Sequence, residues 1–247
     1  VDYFVIVESS FTHKGEERKL RFDDKKFKKF KNKIIYLVYD NKPKNIKEIL
    51  DDEHEDDQSR KYIFNSILRE NGQRNFIING LKDANEEDLI LISDVDEIPN
   101  LEKLEINKIN QKIIMFKQEM FYYKFNLKLP NFFWTGTKAC KKKYLKSPQW
   151  IRNIKDRKYS FFRFDVLFSE TKFIDIKIVE NGGWHFTNLK NAEEIELKLK
   201  SYLHHREFDV NPMSIDEIHN IIKSKIAIYD LTLDKRTQKI GHGKKLE

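Results

Sequence analysis

The sequence predicts an α/β fold with a mixed central sheet, and three features carry that reading. Two short apolar runs, residues 2–8 and 34–39, are separated by a polar segment long enough for a helix. A third run, Leu89-Ile90-Leu91-Ile92, ends in an acidic cluster, after which the chain turns strand-rich and closes in helices. The first run passes into Ser-Ser-Phe-Thr-His-Lys-Gly, the mark of a buried strand entering a loop, and the second stops at Asp40-Asn41-Lys42-Pro43.

Between the second and third runs, Ile63, Phe64, Ile67 and Leu68 recur at helical spacing, which predicts an amphipathic helix over 58–70. Its acidic entry suits the positive end of the helix dipole. A second helix is expected over 73–82, beginning at Gln73-Arg74-Asn75 and turning Phe76, Ile77 and Leu81 inward. Strands are expected at 113–123, 132–139, 161–168 and 173–179. Gly182-Gly183 then permits an unusual backbone path that places Trp184 and His185 at a strand end. Asn191 with Glu194 reads as a capping box opening a helix to about residue 203, and 215–229 continues helical. His204-His205 falls at a helix end, where a cap or dipole role is expected.

No repeat or linker interrupts this order, so the 247 residues read as one larger domain. Within it, 1–110 reads as an alternating α/β half, 111–190 as a more β-rich half and 191–247 as a helical tail. With 39% hydrophobic residues and 19 Phe, the 35% charged fraction decorates a folded core and does not signal disorder. The single Cys140 excludes an intrachain disulfide framework and a cysteine-rich zinc module. No run approaches the roughly 20 apolar residues of a membrane span, and no leader pattern is present, so the chain reads as soluble. Both ends read as trimmed: Val1 falls inside what reads as a strand, and Leu246-Glu247 has the look of a cloning remnant.

Charge is unevenly spread behind its net of 47 − 40 = +7. Residues 14–33 hold ten basic and four acidic side chains, 48–57 seven acidic, and 141–158 eight basic against one acidic. Such patches suit solvated faces, nucleic acid, anionic surfaces or phosphorylated small molecules alike. The acidic cluster narrows the choice. Asp94 and Asp96 point to one side of an extended chain, with Glu97 beside them, where open α/β sheets bind ligands. Like charges so placed repel, and oxygen-only ligands favour a hard divalent ion, magnesium or manganese. Alternatives at this point are turn-capping aspartates, an aspartyl-nucleophile phosphohydrolase and a two-metal nuclease. His185 completes a metal site or bonds a diphosphate, or else is a satisfied core histidine. Arg74 pairs with an acid or binds phosphate.

Several blocks in register resemble glycosyltransferase family 17, known for enzymes that add bisecting N-acetylglucosamine. They are residues 1–12 (VDYFVIVESSFT) with Gly15, Arg18 and Leu20, then Gln73-Arg74-Asn75, then 88–99 (DLILISDVDEIP), then Gly183-Trp184-His185-Phe186-Thr187. The resemblance implies a GT-A-like fold and a metal-dependent, inverting transfer from a UDP-sugar, with N-acetylglucosamine the expected sugar, to a glycan hydroxyl. It implies manganese or magnesium on Asp94, Asp96 and His185, and a nucleotide sugar met by Glu8, Arg74, Asp94 and Trp184. The base is open among Glu97, nearest the cluster, and Asp165, Glu170 and Glu207. An upstream strand and helix of the family pattern, with an Asn-Glu-Leu-Asp-like segment, have no counterpart before Val1. The Lys, Asn and Ile bias points to a bacterial or large-virus protein and a cytosolic setting, which leaves the acceptor of the animal enzymes untransferred. The competing readings are a nucleic-acid-binding protein or nuclease, and an inactive sugar-binding relative.

Overall fold

The first two apolar runs form strands β1 (Phe4–Ser9) and β2 (Ile34–Tyr39), paired in parallel from Phe4 opposite Ile34 to Ser9 opposite Tyr39. This computed structural model describes residues 1–157, 159–160, 162–203, 205–229 and 241–247, with the side chains of 103, 107 and 167 outside the description. Its backbone contacts divide into two units. One comprises 1–84, 147–149 and 197–212, the other 85–146, 150–196 and 213–247.

In the first unit, β1 and β2 are joined by an exposed 3-10 stretch, Asp24–Lys33, and followed by helix α1 (Glu55–Asn75). The two helices expected over 58–70 and 73–82 are one helix and a 3-10 turn, Phe76–Gly80. Asn71-Gly72 lies within this helix, and Gly72 lets it approach β2: a Cβ there would lie 2.3 Å from the Tyr39 hydroxyl oxygen. Gln73-Arg74-Asn75 therefore ends a helix and does not begin one. Helix α5 (His205–Val210) also belongs to this unit, and His205 is its first residue. The His205 side chain is buried, with Nδ1 2.9 Å from an Asp209 carboxylate oxygen and its ring edge-on to Tyr62. It is a packed core group and not the helix-end cap expected; His204 lies outside the described residues.

The second unit holds strands β3 (Leu89–Ile92), β4 (Glu97–Pro99), β5 (Ile113–Tyr122), β6 (Lys128–Lys141), β7 (Ile176–Val179) and β8 (Gly183–Thr187). They form one mixed sheet in the order β3-β6-β5-β8-β4, with β7 also pairing β5. Antiparallel ladders join β3 to β6, β5 to β6 and β4 to β8, whereas β5 runs parallel to both β7 and β8. The centre of β5 explains its sequence: Ile113, Ile114, Met115 and Phe116 are all buried, as a strand covered on both faces demands. Leu104, Ala139 and Val179 pack against Ile114 and Phe116. Cys140 of β6 is 1% exposed, and burial pushes its thiol up to about 12.

The remaining α-helices among the described residues are the short α2 (Pro148–Asn153), α3 (Phe164–Leu167), α4 (Ala192–Ser201) and α6 (Ile215–Lys223). The strand expected at 161–168 is corrected to α3: the run is short, and Phe162, Phe164 and Phe168 are exposed, so its aromatics were no sign of a buried strand. The α4 capping box forms as expected, with Asn191 and Glu194 exchanging backbone-to-side-chain bonds of 2.8 and 3.1 Å. The helix expected over 215–229 stops at Lys223. Leu246, expected as a terminal remnant, is buried, and its N–H donates to the Lys225 carbonyl.

Trp184 and His185 lie inside β8, not at its end. Gly183 has φ +124°, and a Cβ there would sit 2.0 Å from the Ile98 carbonyl oxygen. Gly183→Ala is therefore expected to cost about 1–3 kcal/mol or more by forcing β4 and β8 apart, read as a lowered urea midpoint.

Candidate active site

Strand alternation builds the site. Glu97 opens β4 directly opposite His185 of β8, and both side chains turn to the buried face of the sheet. Trp184, one residue earlier, must then face the other way; it is 39% exposed beside the equally outward Ile98. The nucleotide-sugar contact expected of Trp184 would thus lie on the opposite face from the carboxylates.

Four donors saturate the Glu97 carboxylate. Oε1 accepts from Trp134 Nε1 at 2.8 Å and Arg152 Nη2 at 2.9 Å, and Oε2 from Arg152 Nη1 at 2.8 Å and the Asp94 N–H at 3.0 Å. Arg152 also gives Nη2 to Asp94 Oδ2 at 3.0 Å and Nη1 to the Gly136 carbonyl at 2.6 Å. This is a bidentate arginine fork holding two carboxylates at once. Gly136 is required beneath it, because a Cβ would meet Gln118 Oε1 at 1.8 Å and Glu97 Cδ at 3.0 Å. Glu97, expected as a base, has its lone pairs committed and its side chain shut from solvent, which makes it a holding group in this arrangement.

Asp96 faces a different partner. Its Oδ1 lies 3.4 Å from His185 Nε2, its side chain is about a third exposed, and its backbone carbonyl accepts the Phe186 N–H at 2.8 Å. The His185 ring stacks on Trp134 at 5.2 Å between centroids, and its Nδ1 is buried without a hydrogen-bond partner among the described residues. Two of the three expected metal ligands are thus adjacent, one carboxylate oxygen and one imidazole nitrogen, a donor pair that fits manganese better than magnesium and leaves most positions to water and substrate oxygens. Asp94 does not join them because Arg152 draws its carboxylate aside. Among the described residues no three His, Cys, Asp or Glu side chains group tightly enough to hold a metal by themselves.

The remaining expected residues are committed elsewhere. Glu8, at the end of β1, is buried and accepts from the Arg21 and Phe22 N–H groups, the Tyr36 hydroxyl and Arg18. Burial works to raise its carboxyl, but those bonds, Phe22 and Arg21 foremost, outweigh it and hold the group below its ordinary 4.5. Glu8 therefore fastens the 18–22 loop to the strand pair. Arg74 pairs with Glu70 one turn back at 2.8 Å and donates to Gln149. Among the other carboxylates, Asp165 is held well below the usual range by hydrogen bonds from Arg163 and Lys172, and Glu170 pairs with Lys146. Glu207 stands in the first turn of α5.

A family model described as glycosyltransferase family 17 matches residues 1–238. The chain belongs to that family. No curated protein and no solved structure matches it. Membership makes this family 17 chain a glycosyltransferase, with a sugar donor and a glycan acceptor, on the mixed α/β fold described. Among the described residues no helix is long and apolar enough to cross a membrane.

Sequence reasoning missed Arg152 and Trp134 as parts of this family 17 site. Arg152 was one of eight cations in a basic segment, and nothing local marks the one that turns inward. The only sequence signal was its place in Trp150-Ile151-Arg152, where Ile151 is fully buried. Lys138 of β6 is a second buried cation, donating to the Arg152 and Ile154 carbonyls. Burial first, then the Arg152 charge, push its ammonium down to about 8, against the pull of Asp156 and Glu97. Between about 8 and its ordinary 10.5 the unfolded chain holds the extra proton, so this group makes stability rise with pH across that window. The rise is on the order of 3 kcal/mol. Urea unfolding at pH 8, 9 and 10 should show it in the parent and a shallower slope in Lys138→Met.

Proposed function

We propose that the chain is an inverting, metal-dependent GT-A-like transferase moving a sugar, N-acetylglucosamine in the first instance, from a UDP-sugar to a glycan hydroxyl. The observation that carries this reading is the Asp96–His185 pair at 3.4 Å, open on the Asp96 side, beside a carboxylate cluster locked by Arg152. Asp96 Oδ1 and His185 Nε2 would hold manganese or magnesium, which when bound neutralises the leaving diphosphate. The chain's own residues supply the rest. Trp134 fixes the His185 ring by stacking, and the Phe186 N–H fixes the Asp96 backbone, so both donors are oriented before any ligand arrives. Arg152 holds the Asp94 and Glu97 carboxylates still through its hydrogen bonds to both. Glu97, with four bonds to its oxygens, is unsuited to attack a sugar as a nucleophile, which supports direct displacement by the acceptor hydroxyl over a glycosyl-enzyme route.

The test is manganese-dependent release of UDP from UDP-N-acetylglucosamine in the presence of oligosaccharide acceptors, with the anomeric linkage of the product read by NMR. A β-linked product from the α-linked donor supports the reading. Failure of every UDP-sugar to bind or turn over, with or without metal, would overturn it, and sugar binding without UDP release would mark an inactive relative.

A further inference from the structure

The parallel strand pair of the first unit ends on a cavity that the proposed transfer leaves unused. Its volume is about 230 Å3. It is lined by Ser9 and Tyr39, the last residues of β1 and β2, by Phe11, Asn41 and Lys42 from the loops that follow them, and by Arg69 of α1. Ligands of α/β sheets gather outside the carboxyl ends of strands, and this cavity occupies that place. A volume below the roughly 300–1,000 Å3 of drug-sized pockets suits one sugar ring better than a whole nucleotide sugar.

Its charge is of one sign. Arg69 and Lys42 line it, and no carboxylate does. Arg69 is half-buried, and among the described residues its one acceptor is the His13 carbonyl oxygen at 2.9 Å, which leaves most of its five N–H donors unspent. Burial alone pushes its guanidinium below the ordinary 12.5, with no acid acting the other way, and its sequence neighbour Glu70 is engaged by Arg74. Gly15, at φ +104°, brings its loop over the guanidinium so closely that a Cβ would lie 2.5 Å from Nη2. The charge is therefore fixed in place. Lys42 stands over the Phe11 ring at 5.4 Å, so a cation and an aromatic face meet at the same wall. Tyr39 is 7% exposed, and its hydroxyl has no hydrogen-bond partner among the described residues. A larger cavity of about 550 Å3 in the same unit offers a contrast, since four of its lining charges are spent on each other, Lys61 with Glu53 and Arg60 with Asp57, and carboxylates stand among its walls.

A desolvated cation without a counter-ion is costly, and an incoming oxyanion removes that cost. We propose that this cavity binds a small anionic sugar, a uronate or a sugar phosphate. Its oxyanion lies between Arg69 and Lys42, its ring against Phe11 and Tyr39, and its hydroxyls within reach of Ser9 and Asn41. The sugar body rests on the glycosyltransferase reading; the oxyanion follows from the lining alone.

Calorimetry at low salt with glucuronate, glucose 6-phosphate, glucose, inorganic phosphate and UDP separates the possibilities. At least one anionic sugar is expected to bind at least tenfold more tightly than glucose. Arg69→Gln should weaken it tenfold or more, and the exposed Lys42→Gln severalfold with an unchanged melting temperature. The proposal is overturned if neither anionic sugar binds, or if binding survives both substitutions unchanged. It is equally overturned if inorganic phosphate binds as tightly as the sugar phosphate, or if UDP displaces the anionic sugar stoichiometrically and so claims the cavity for the donor. Manganese-dependent turnover of UDP-N-acetylglucosamine by the same parent protein keeps the two readings apart. Turnover without anion binding sinks only the cavity, and anion binding without turnover sinks only the transferase.

Discussion

Asp96→Ala is expected to lower transfer from UDP-N-acetylglucosamine about a thousandfold while leaving the fold intact. The fold should survive because Asp96 contributes to the sheet through its backbone carbonyl, which bonds Phe186 N–H whatever the side chain is. Its carboxylate is the exposed half of the pair with His185, so truncation removes a donor without opening the core. UDP release and a thermal melt, measured side by side, decide the matter. Activity within tenfold of the parent, or undiminished parent activity in excess chelator, would strip the carboxylate of its metal role.

Arg152→Met should act on stability instead, with a loss of about 3–5 kcal/mol. The Glu97 side chain is 1% exposed and the Arg152 side chain 10%, so removing the guanidinium strands a buried carboxylate and sets Asp94 loose beside it. Adding Glu97→Gln to Arg152→Met should recover part of the loss, because a neutral amide needs no counter-ion. Urea unfolding of both variants at pH 7 measures the two quantities. A loss below about 1 kcal/mol for Arg152→Met would show that water or another cation already satisfies the pair.

Much of the framework was legible because short apolar runs are nearly sufficient evidence for buried strands. Residues 34–39 and 89–92 form strands with the expected bounds, and the capping box at Asn191 is local chemistry that needs no tertiary context. Misreadings came where one residue type serves two purposes. Two helices were expected where α1 runs unbroken past Gly72, a packing contact for Tyr39, while the phenylalanines of 161–168 looked like strand core and three of them are exposed. The three-residue β4 was invisible because only its pairing with β8 makes it a strand, yet that pairing brings Glu97 opposite His185. At the site, proximity in sequence announced the acids but not their partners. Arg152 lies 58 residues from Asp94, and Trp134 lies 37 from Glu97.

The burial of Cys140 has a practical side. The thiol sits opposite Ile90 in the β3–β6 ladder, and with its ionisation pushed up to about 12 it carries almost no thiolate at neutral pH. A thiol reagent can reach it only when that ladder opens, so the alkylation rate of the sole cysteine is a clock on the opening of the sheet that carries the carboxylates. Timed in the presence and absence of manganese and UDP, that clock would tell whether ligands tighten this sheet, without any label being introduced.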